Sequence, residues 1–341
     1  MNLFKKRLVK VIRFLEFVIK SRILACLKRL TFRHNYSITI ELDSTASVDG
    51  SGAQIQRLLS INALASYFGF NYRHSPIQQI SIHPLDPFQS VTDYHEYLER
   101  VNRLFLIESF QKEIASEDIK HVREFGFWQF IRVVLKASLF KTKMTFSLLN
   151  PYSITEFCPS AMLTIGGLIQ FPRIEEGSLD TFRIVLHYRQ GVGGFQVYPG
   201  QTISRETPLD AFIPTICNSI SNYRGNSKIE IRVVTDAPAA ETTFRPPPEQ
   251  VELWQGSPAF QNGEMKIQPL MFDLIEERTG VRPPVIRGGS PLDAIIEMAQ
   301  ADVLLMSRSS LSYLGAILNS SGEIYFPKEF WHRKMNHWRF L

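Results

Sequence analysis

Between residues 181 and 326 the sequence alternates between short strand-like runs and longer amphipathic runs with helical spacing. Such alternation predicts a parallel sheet with helices on both faces, because two parallel strands need a long crossover between them, usually a helix. The predicted elements are strands 182–187, 229–235, 285–287, 302–306 and 323–326 and helices 209–220, 270–277, 292–299 and 310–318.

A second unit of the same class is predicted upstream. Residues 36–43 alternate as a strand does, residues 53–68 carry an apolar face at helical spacing, and residues 70–74 predict the next strand. Residues 84–150 are rich in aromatic and charged side chains and predict mostly helix.

We therefore expect an α/β fold of two Rossmann-like, doubly wound domains that face each other across a cleft, with an amphipathic helix at the N-terminus. The 341 residues, 44% of them hydrophobic, are enough to fill two cores. The predicted divisions are residues 1–34 for the helix, 35–178 for the first domain, 179–325 for the second and 326–341 for a C-terminal segment.

Residues 1–34 are the most basic part of the chain. They contain ten Lys or Arg residues and the single acidic residue Glu16, a charge of +9, so the rest of the chain carries −4 of the total of +5. An acidic body argues against nucleic-acid binding, which usually spreads basic groups over the folded surface. The three cysteines fit neither a disulfide framework nor a metal-binding spacing, which favours reduced thiols and a cytosolic location.

Apolar residues recur in this basic segment at helical spacing, but cations interrupt every long apolar run. A spanning helix and a secretory signal are therefore disfavoured. The pattern favours a helix lying in the interface of a membrane, peripheral on its cytosolic face, with its cations against anionic head groups. A helix docked on the protein's own core is the alternative, and a mitochondrial targeting peptide is a weaker one because serine is scarce.

The first of three candidate motifs runs from Asp49 to Gln54, between a predicted strand and a predicted helix. Its glycines, Gly50 and Gly52, let the backbone approach a ligand closely, and the start of a helix favours an anion. Glycine-rich turns before helices are also common as simple tight turns.

The second motif, His187 and Arg189, closes the strand that opens the second domain, and Arg205 follows it. An arginine at the carboxyl end of a strand can grip a diphosphate through paired, charge-assisted hydrogen bonds. The structural alternative is a surface arginine and a histidine satisfied by backbone groups.

The third motif places Ser309, Ser310 and Ser312 at the start of helix 310–318. Hydroxyls and unsatisfied N–H groups at a helix start can bind phosphate oxygens. Simple N-capping needs one of these hydroxyls, so the surplus favours a ligand-binding role.

In this order the three motifs resemble the fucosyltransferase-like superfamily, which includes α-1,2-, α-1,6- and protein O-fucosyltransferases. The resemblance spans roughly residues 36–331, with the middle of the first domain unmatched. It implies a GT-B fold in which the first domain takes the acceptor and the second takes a nucleoside-diphosphate sugar, usually GDP-fucose, without a metal or another cofactor.

The resemblance also implies roles for individual residues. His187 and Arg189 correspond to the family's phosphate-binding motif, and Asp236 corresponds to the residue that closes a central strand. The residues that the resemblance and the motifs together place at the donor are Gly50, Gly52, Gln54, Arg205, Asp236, Arg308, Ser309, Ser310 and Ser312.

Three positions depart from the family pattern: Gln190 replaces a second arginine, Val192 an aspartate and Ala53 an asparagine. Arg205 or Arg308 is a candidate to supply the missing positive charge. The same departures keep open an alternative, a non-catalytic nucleotide-binding or scaffold protein of a polysaccharide assembly complex.

The expected reaction is an inverting transfer in which an acceptor hydroxyl attacks the anomeric carbon while the enzyme neutralises the leaving diphosphate. Candidate general bases are Asp49, His74 and Asp86. A membrane-bound helix fits a glycan or lipid-linked glycan acceptor, as in surface polysaccharide synthesis. A phosphohydrolase is disfavoured because the paired acids or metal ligands it needs are not apparent.

Overall fold

The chain forms two compact units. The computed structural model describes residues 2–32, 38–45, 49–81, 90–107, 119–124, 126–140, 143–171, 181–189, 195–198, 201–204, 207, 209–235, 260–261, 264–265, 270–283, 285–286 and 290–341. The first unit comprises residues 1–49, 53–80 and 98–170, and the second comprises residues 50–52, 81–97 and 171–341.

The N-terminal segment is the predicted helix, α1 (Asn2–Phe32). Its C-terminal half packs on the first unit, where Leu24 and Leu27 are buried. Residues 11–16 are exposed on every side, so the apolar side chains of this stretch are uncovered. Among the described residues, no helix combines the length and apolar character that crossing a bilayer requires.

The first unit is built on a four-stranded parallel sheet in the order β2-β1-β4-β3. Its strands are β1 (Ile38–Leu42), β2 (Asn71–Tyr72), β3 (Ile119–Glu124) and β4 (Met144–Asn150). Its helices, beyond α1, are α2 (Ser51–Phe68), α3 (Val91–Leu104), α4 (Phe127–Phe140), α5 (Tyr152–Thr155) and α6 (Pro159–Gly166). Of these, α2 and α3 begin in segments assigned to the second unit.

Helices α3 and α4 lie in residues 84–150, which were predicted as mostly helical, but the strands β3 and β4 in the same region were not predicted. Strand β4 reads Met-Thr-Phe-Ser-Leu-Leu-Asn and has parallel neighbours on both sides. Its first five residues alternate between apolar and polar, so the signal for a strand was present in the sequence and was not recognised. Strand β3 lacks a buried face, since five of its six residues are exposed.

The second unit contains a six-stranded parallel sheet in the order β11-β8-β5-β12-β13-β14. Numbered within this sheet by position in the chain, the order is 3-2-1-4-5-6, that of a Rossmann fold. The strands are β5 (Thr181–Tyr188), β8 (Lys228–Thr235), β11 (Val285–Ile286), β12 (Val303–Leu305), β13 (Glu323–Phe326) and β14 (Arg339–Phe340).

The crossover helices agree with the predicted alternation. They are α7 (Leu209–Asn222), α8 (Leu270–Thr279), α9 (Pro291–Ala299) and α10 (Ser310–Leu318). Two antiparallel hairpins were not predicted: β6 (Phe195–Tyr198) with β7 (Gln201–Ser204), and β9 (Phe260–Gln261) with β10 (Glu264–Met265). With two parallel α/β units, the chain has the predicted fold class.

Candidate active site

The candidate site lies at the carboxyl ends of β5 and β12. The strand order of the second sheet reverses between these two neighbours, since β8 and β11 lie on one side of β5 and β13 and β14 lie beyond β12. In open α/β sheets, ligands bind outside the carboxyl ends of the strands at this reversal. The second and third sequence motifs follow these two strands, and the fold brings them together.

His187 and Ser307 join the two strand ends. The Nδ1 atom of His187 lies 2.5 Å from the Oγ atom of Ser307. Both side chains are buried. The pair therefore connects the end of β5 to the residues that follow β12.

Arg189 reaches the start of α10. Its Nη1 group donates a hydrogen bond to the Ser309 hydroxyl over 2.9 Å, and the side chain remains partly exposed. Ser309 is the N-cap of α10 and also accepts a hydrogen bond from the N–H of Leu311. A guanidinium group thus lies at a helix N-terminus, where the helix dipole is itself positive.

The serines of the third motif are used unequally. Ser312 is fully buried and donates to the carbonyl oxygens of Ser307 and Ser309 over 2.8 and 3.1 Å. Ser309 is buried as the N-cap, whereas Ser310 keeps part of its surface exposed. The turn therefore uses two of the three hydroxyls internally, and its first-turn N–H groups are the stronger candidates for phosphate contacts.

Gly52 is required by a close approach of two backbone segments. Residues 50–52 belong to the second unit, and a Cβ atom at Gly52 would lie 2.6 Å from the nitrogen of Leu311 in α10. No side chain fits at that distance, so the glycine serves packing against α10. In the same unit, the Tyr97 hydroxyl donates to Ser51 over 2.7 Å.

The other residues of the first motif belong to the first unit. Asp49 forms an ion pair with Arg57 over 2.9 Å. Gln54 is buried, and its Nε2 group donates to the carbonyl oxygen of Gln79 over 3.3 Å. These contacts hold the start of α2 in place.

Arg308 is tied to the segment that follows β13. Its Nε group donates to the Lys328 carbonyl oxygen over 3.1 Å, and its Nη2 atom lies 3.7 Å from the Glu329 carboxylate. The predicted residues Arg205, Asp236 and Asp86, and the departures Gln190 and Val192, lie outside the described residues. Within the described ranges, no group of three or more His, Cys, Asp or Glu side chains could hold a metal ion.

A polar cluster at the carboxyl edge of the first sheet was not predicted. Asp43 follows β1, and its carboxylate lies 3.1 Å from the Nδ1 atom of His121 on β3 and accepts a hydrogen bond from Thr45. Burial acts to raise the pKa of Asp43, but the hydrogen bonds from His121 and Thr45 outweigh it and leave the pKa below its usual value. The position of Asp43 directly after a predicted strand was the available signal, whereas its partner His121 comes from a strand that was missed.

His74, a predicted candidate base, follows β2 at the same edge. Its Nδ1 atom lies 2.8 Å from the Tyr72 hydroxyl, and burial lowers its pKa. The imidazole is therefore neutral at pH 7, the form that a proton acceptor requires.

Comparisons with known proteins give structural likenesses alone. No protein-family model matches the chain, and no curated protein matches it. Heptosyltransferase WaaC of E. coli, solved with ADP-2-deoxy-2-fluoro heptose, is 10% identical with a TM-score of 0.36, over 89% of this chain and 92% of that one. The α-1,6-fucosyltransferase NodZ of Bradyrhizobium, soaked with GDP-fucose, is 11% identical with a TM-score of 0.32, over 83% and 93% of the two chains. The E. coli ADP-heptose heptosyltransferase II is 11% identical with a TM-score of 0.34, over 89% of this chain and 90% of that one.

Proposed function

We propose that this protein is a glycosyltransferase that binds the diphosphate of a nucleotide sugar between Arg189 and the first turn of α10. One observation carries the proposal: a guanidinium group meets a helix N-terminus at the strand-order reversal of a Rossmann sheet. A diphosphate bound here would interact with the guanidinium group and with the positive end of the helix dipole together.

The proposed reaction is a single inverting displacement. An acceptor hydroxyl attacks the anomeric carbon, and the bond from that carbon to the diphosphate oxygen breaks. Arg189 and the N–H groups of α10 would stabilise the charge that develops on the leaving diphosphate, and no metal is needed for this. Asp49, His74 and Asp86 stay the candidates to accept the proton of the hydroxyl.

For the donor, we propose GDP-fucose as the first compound to test, because the order of the three motifs resembles fucosyltransferase-like enzymes. The acceptor would be a glycan or a lipid-linked glycan of a surface polysaccharide. We also propose that the exposed half of α1 binds the cytosolic face of a membrane, since Phe14, Leu15 and Ile19 are exposed beside Arg13 and Arg22.

The test is release of nucleoside diphosphate from a panel of sugar nucleotides that includes GDP-fucose and ADP-heptose. We expect one donor to be turned over, and Arg189→Ala to lower kcat/KM for it by about 10²–10³-fold, as removal of an oxyanion-stabilising donor does elsewhere. Arg189→Lys should recover part of this loss, because an ammonium keeps the charge without the paired geometry. Arg224→Ala, on an exposed arginine of the same unit, is the control.

Undiminished turnover by Arg189→Ala would refute the proposed site. The alternative, a non-catalytic scaffold protein, is favoured by the sequence departures at Gln190 and Val192. Calorimetry that shows tight binding of a nucleoside diphosphate, with no turnover of any donor, would support that alternative.

A further inference from the structure

Helix α4 of the first unit presents a row of large apolar side chains to solvent. Trp128, Leu135, Leu139 and Phe140 are 61%, 38%, 76% and 69% exposed. The opposite side of the helix is buried in the unit, through Phe127, Phe130, Ile131, Val134 and Ala137. Residues 128, 135 and 139 recur at helical spacing and share one face, so α4 has a second apolar face that its own core does not use.

The charges on this exposed face all have one sign. Arg132 and Lys136 are exposed and lie four and eight residues after Trp128, which places them on the same side of the helix. Helix α4 contains no acidic residue. Aromatic and aliphatic side chains interleaved with cations are typical of helices that lie in the interface of an anionic bilayer.

The exposed face of α4 begins where α1 docks. The Nζ atom of Lys20 lies 5.1 Å from the ring centroid of Phe127, the residue before Trp128. The ring of Phe17 lies 6.0 Å from that of Phe157, which in turn contacts Phe127. Helix α1 therefore contacts the first turn of α4 through Lys20, the residue after the exposed Ile19.

We propose that α4 is a second lipid-binding element, with Trp128, Leu139 and Phe140 in the acyl boundary of an anionic membrane and Arg132 and Lys136 against head-group phosphates. This extends to the folded unit the membrane binding that we propose for α1. It does not depend on the transferase activity. A second copy of the chain is a poorer occupant, because a two-fold contact through this face would bring Arg132 and Lys136 toward the same cations of the other copy.

The test is flotation of the full-length protein with vesicles of phosphatidylcholine, with and without phosphatidylglycerol. The variant Trp128→Ser/Leu139→Ser/Phe140→Ser should lower partitioning into anionic vesicles roughly tenfold or more, since it removes most of the apolar surface that α4 would insert. Val91→Ser, at an apolar residue 73% exposed in the second unit, should leave partitioning unchanged. Ile12→Ser/Leu15→Ser/Ile19→Ser measures the part contributed by α1.

A second pair of variants tests how much the cations of α4 contribute to membrane binding. Arg132→Glu/Lys136→Glu should remove most of the preference for phosphatidylglycerol, whereas Arg224→Glu/Lys228→Glu, also exposed and four residues apart, should keep it. Circular dichroism checks that each variant is folded.

Two results would overturn the proposal. The first is wild-type flotation by the α4 serine variant. The second is a wild-type dimer that this variant converts to a monomer with no change in flotation. Transfer of the sugar to a soluble acceptor, measured by the nucleoside diphosphate that is released, should be unchanged in the α4 variants. Failure of the transferase proposal would therefore be seen separately.

Discussion

Ser309 shows how one hydroxyl can serve both the fold and the proposed site. It caps α10 through the N–H of Leu311 and receives a hydrogen bond from Arg189. A serine can accept two hydrogen bonds and donate one, so both roles are compatible. The position of the guanidinium group therefore depends on the integrity of the helix start.

Ser309→Ala should cost about 1 kcal/mol of the free energy of unfolding, through loss of the cap, and should also raise the KM for the donor because Arg189 loses its anchor. Ser320→Ala is the control, since Ser320 is an exposed serine of the same unit that lies after the end of α10. Urea unfolding and donor titration measure the two effects. If the two variants unfold at the same urea concentration and bind the donor equally well, the Ser309 contacts contribute neither to stability nor to donor binding.

We predict that His332 makes the stability of the protein sensitive to acid. Its ring stacks on Tyr313 with centroids 4.1 Å apart, its Nε2 atom is enclosed, and burial lowers its pKa to about 3. An unfolded histidine titrates near pH 6.5, so between about pH 6.5 and 3 the unfolded chain binds a proton that the folded chain does not. The free energy of unfolding should therefore be highest above pH 6.5. Within the window it should decrease as the pH is lowered, by at most roughly 1.4 kcal/mol per pH unit.

His332→Phe keeps an aromatic ring in this cluster and removes the titrating group. We expect the free energy of unfolding to depend less steeply on pH between 6.5 and 4 in this variant than in the wild type. Urea unfolding at a series of pH values measures the two slopes. Parallel slopes would mean that other groups cause the acid sensitivity.

At the scale of elements, helices α9 and α10 pack closely at Gly315. A Cβ atom there would lie 2.6 Å from the Cβ atom of Met298, an atom close to the backbone of α9 that cannot swing away. Gly315→Ala should therefore cost about 1–3 kcal/mol of the free energy of unfolding, as overpacking does. Gly126→Ala, where no atom lies within 4 Å of the added Cβ, should be close to neutral. Equal effects on unfolding would contradict this account of the helix contact.

Helix α1 lies in two environments along its length. Leu24 and Leu27 are buried in the first unit, whereas residues 11–16 are exposed on every side. Deleting the whole helix would uncover part of the core, so loss of membrane binding after deletion would not by itself identify a lipid contact. Substitutions confined to the exposed half avoid this ambiguity.

At the scale of the whole molecule, the two units should respond differently to a nucleotide. If the diphosphate binds as proposed, a saturating nucleoside diphosphate stabilises the second unit by about 2.7 kcal/mol at a hundred times its Kd. Hydrogen exchange should slow at the carboxyl ends of β5 and β12 and at the start of α10, and it should stay unchanged in β1 and β4. Protection confined to the first unit would contradict the assignment of the donor site.

The sequence by itself determined the crossover helices of the second unit and the first five strands of its parallel sheet. Helix α10 and strand β13 have the predicted bounds, and the other crossover helices and strands agree within a few residues, because amphipathic period and β-branched runs are local properties. The motif residues Arg189 and Ser309 were also recognisable, since each follows a strand whose end was predicted.

The tertiary structure alone decided how these pieces combine. The 3-2-1-4-5-6 strand order, the contact of Arg189 with Ser309 and the burial of Ser312 all depend on pairings between residues far apart in the chain. The pairing of Asp43 with His121 across β4 was missed for the same reason. Local patterns show which side of an element is apolar, but the partner that covers it is chosen by the packing free energy of the whole fold.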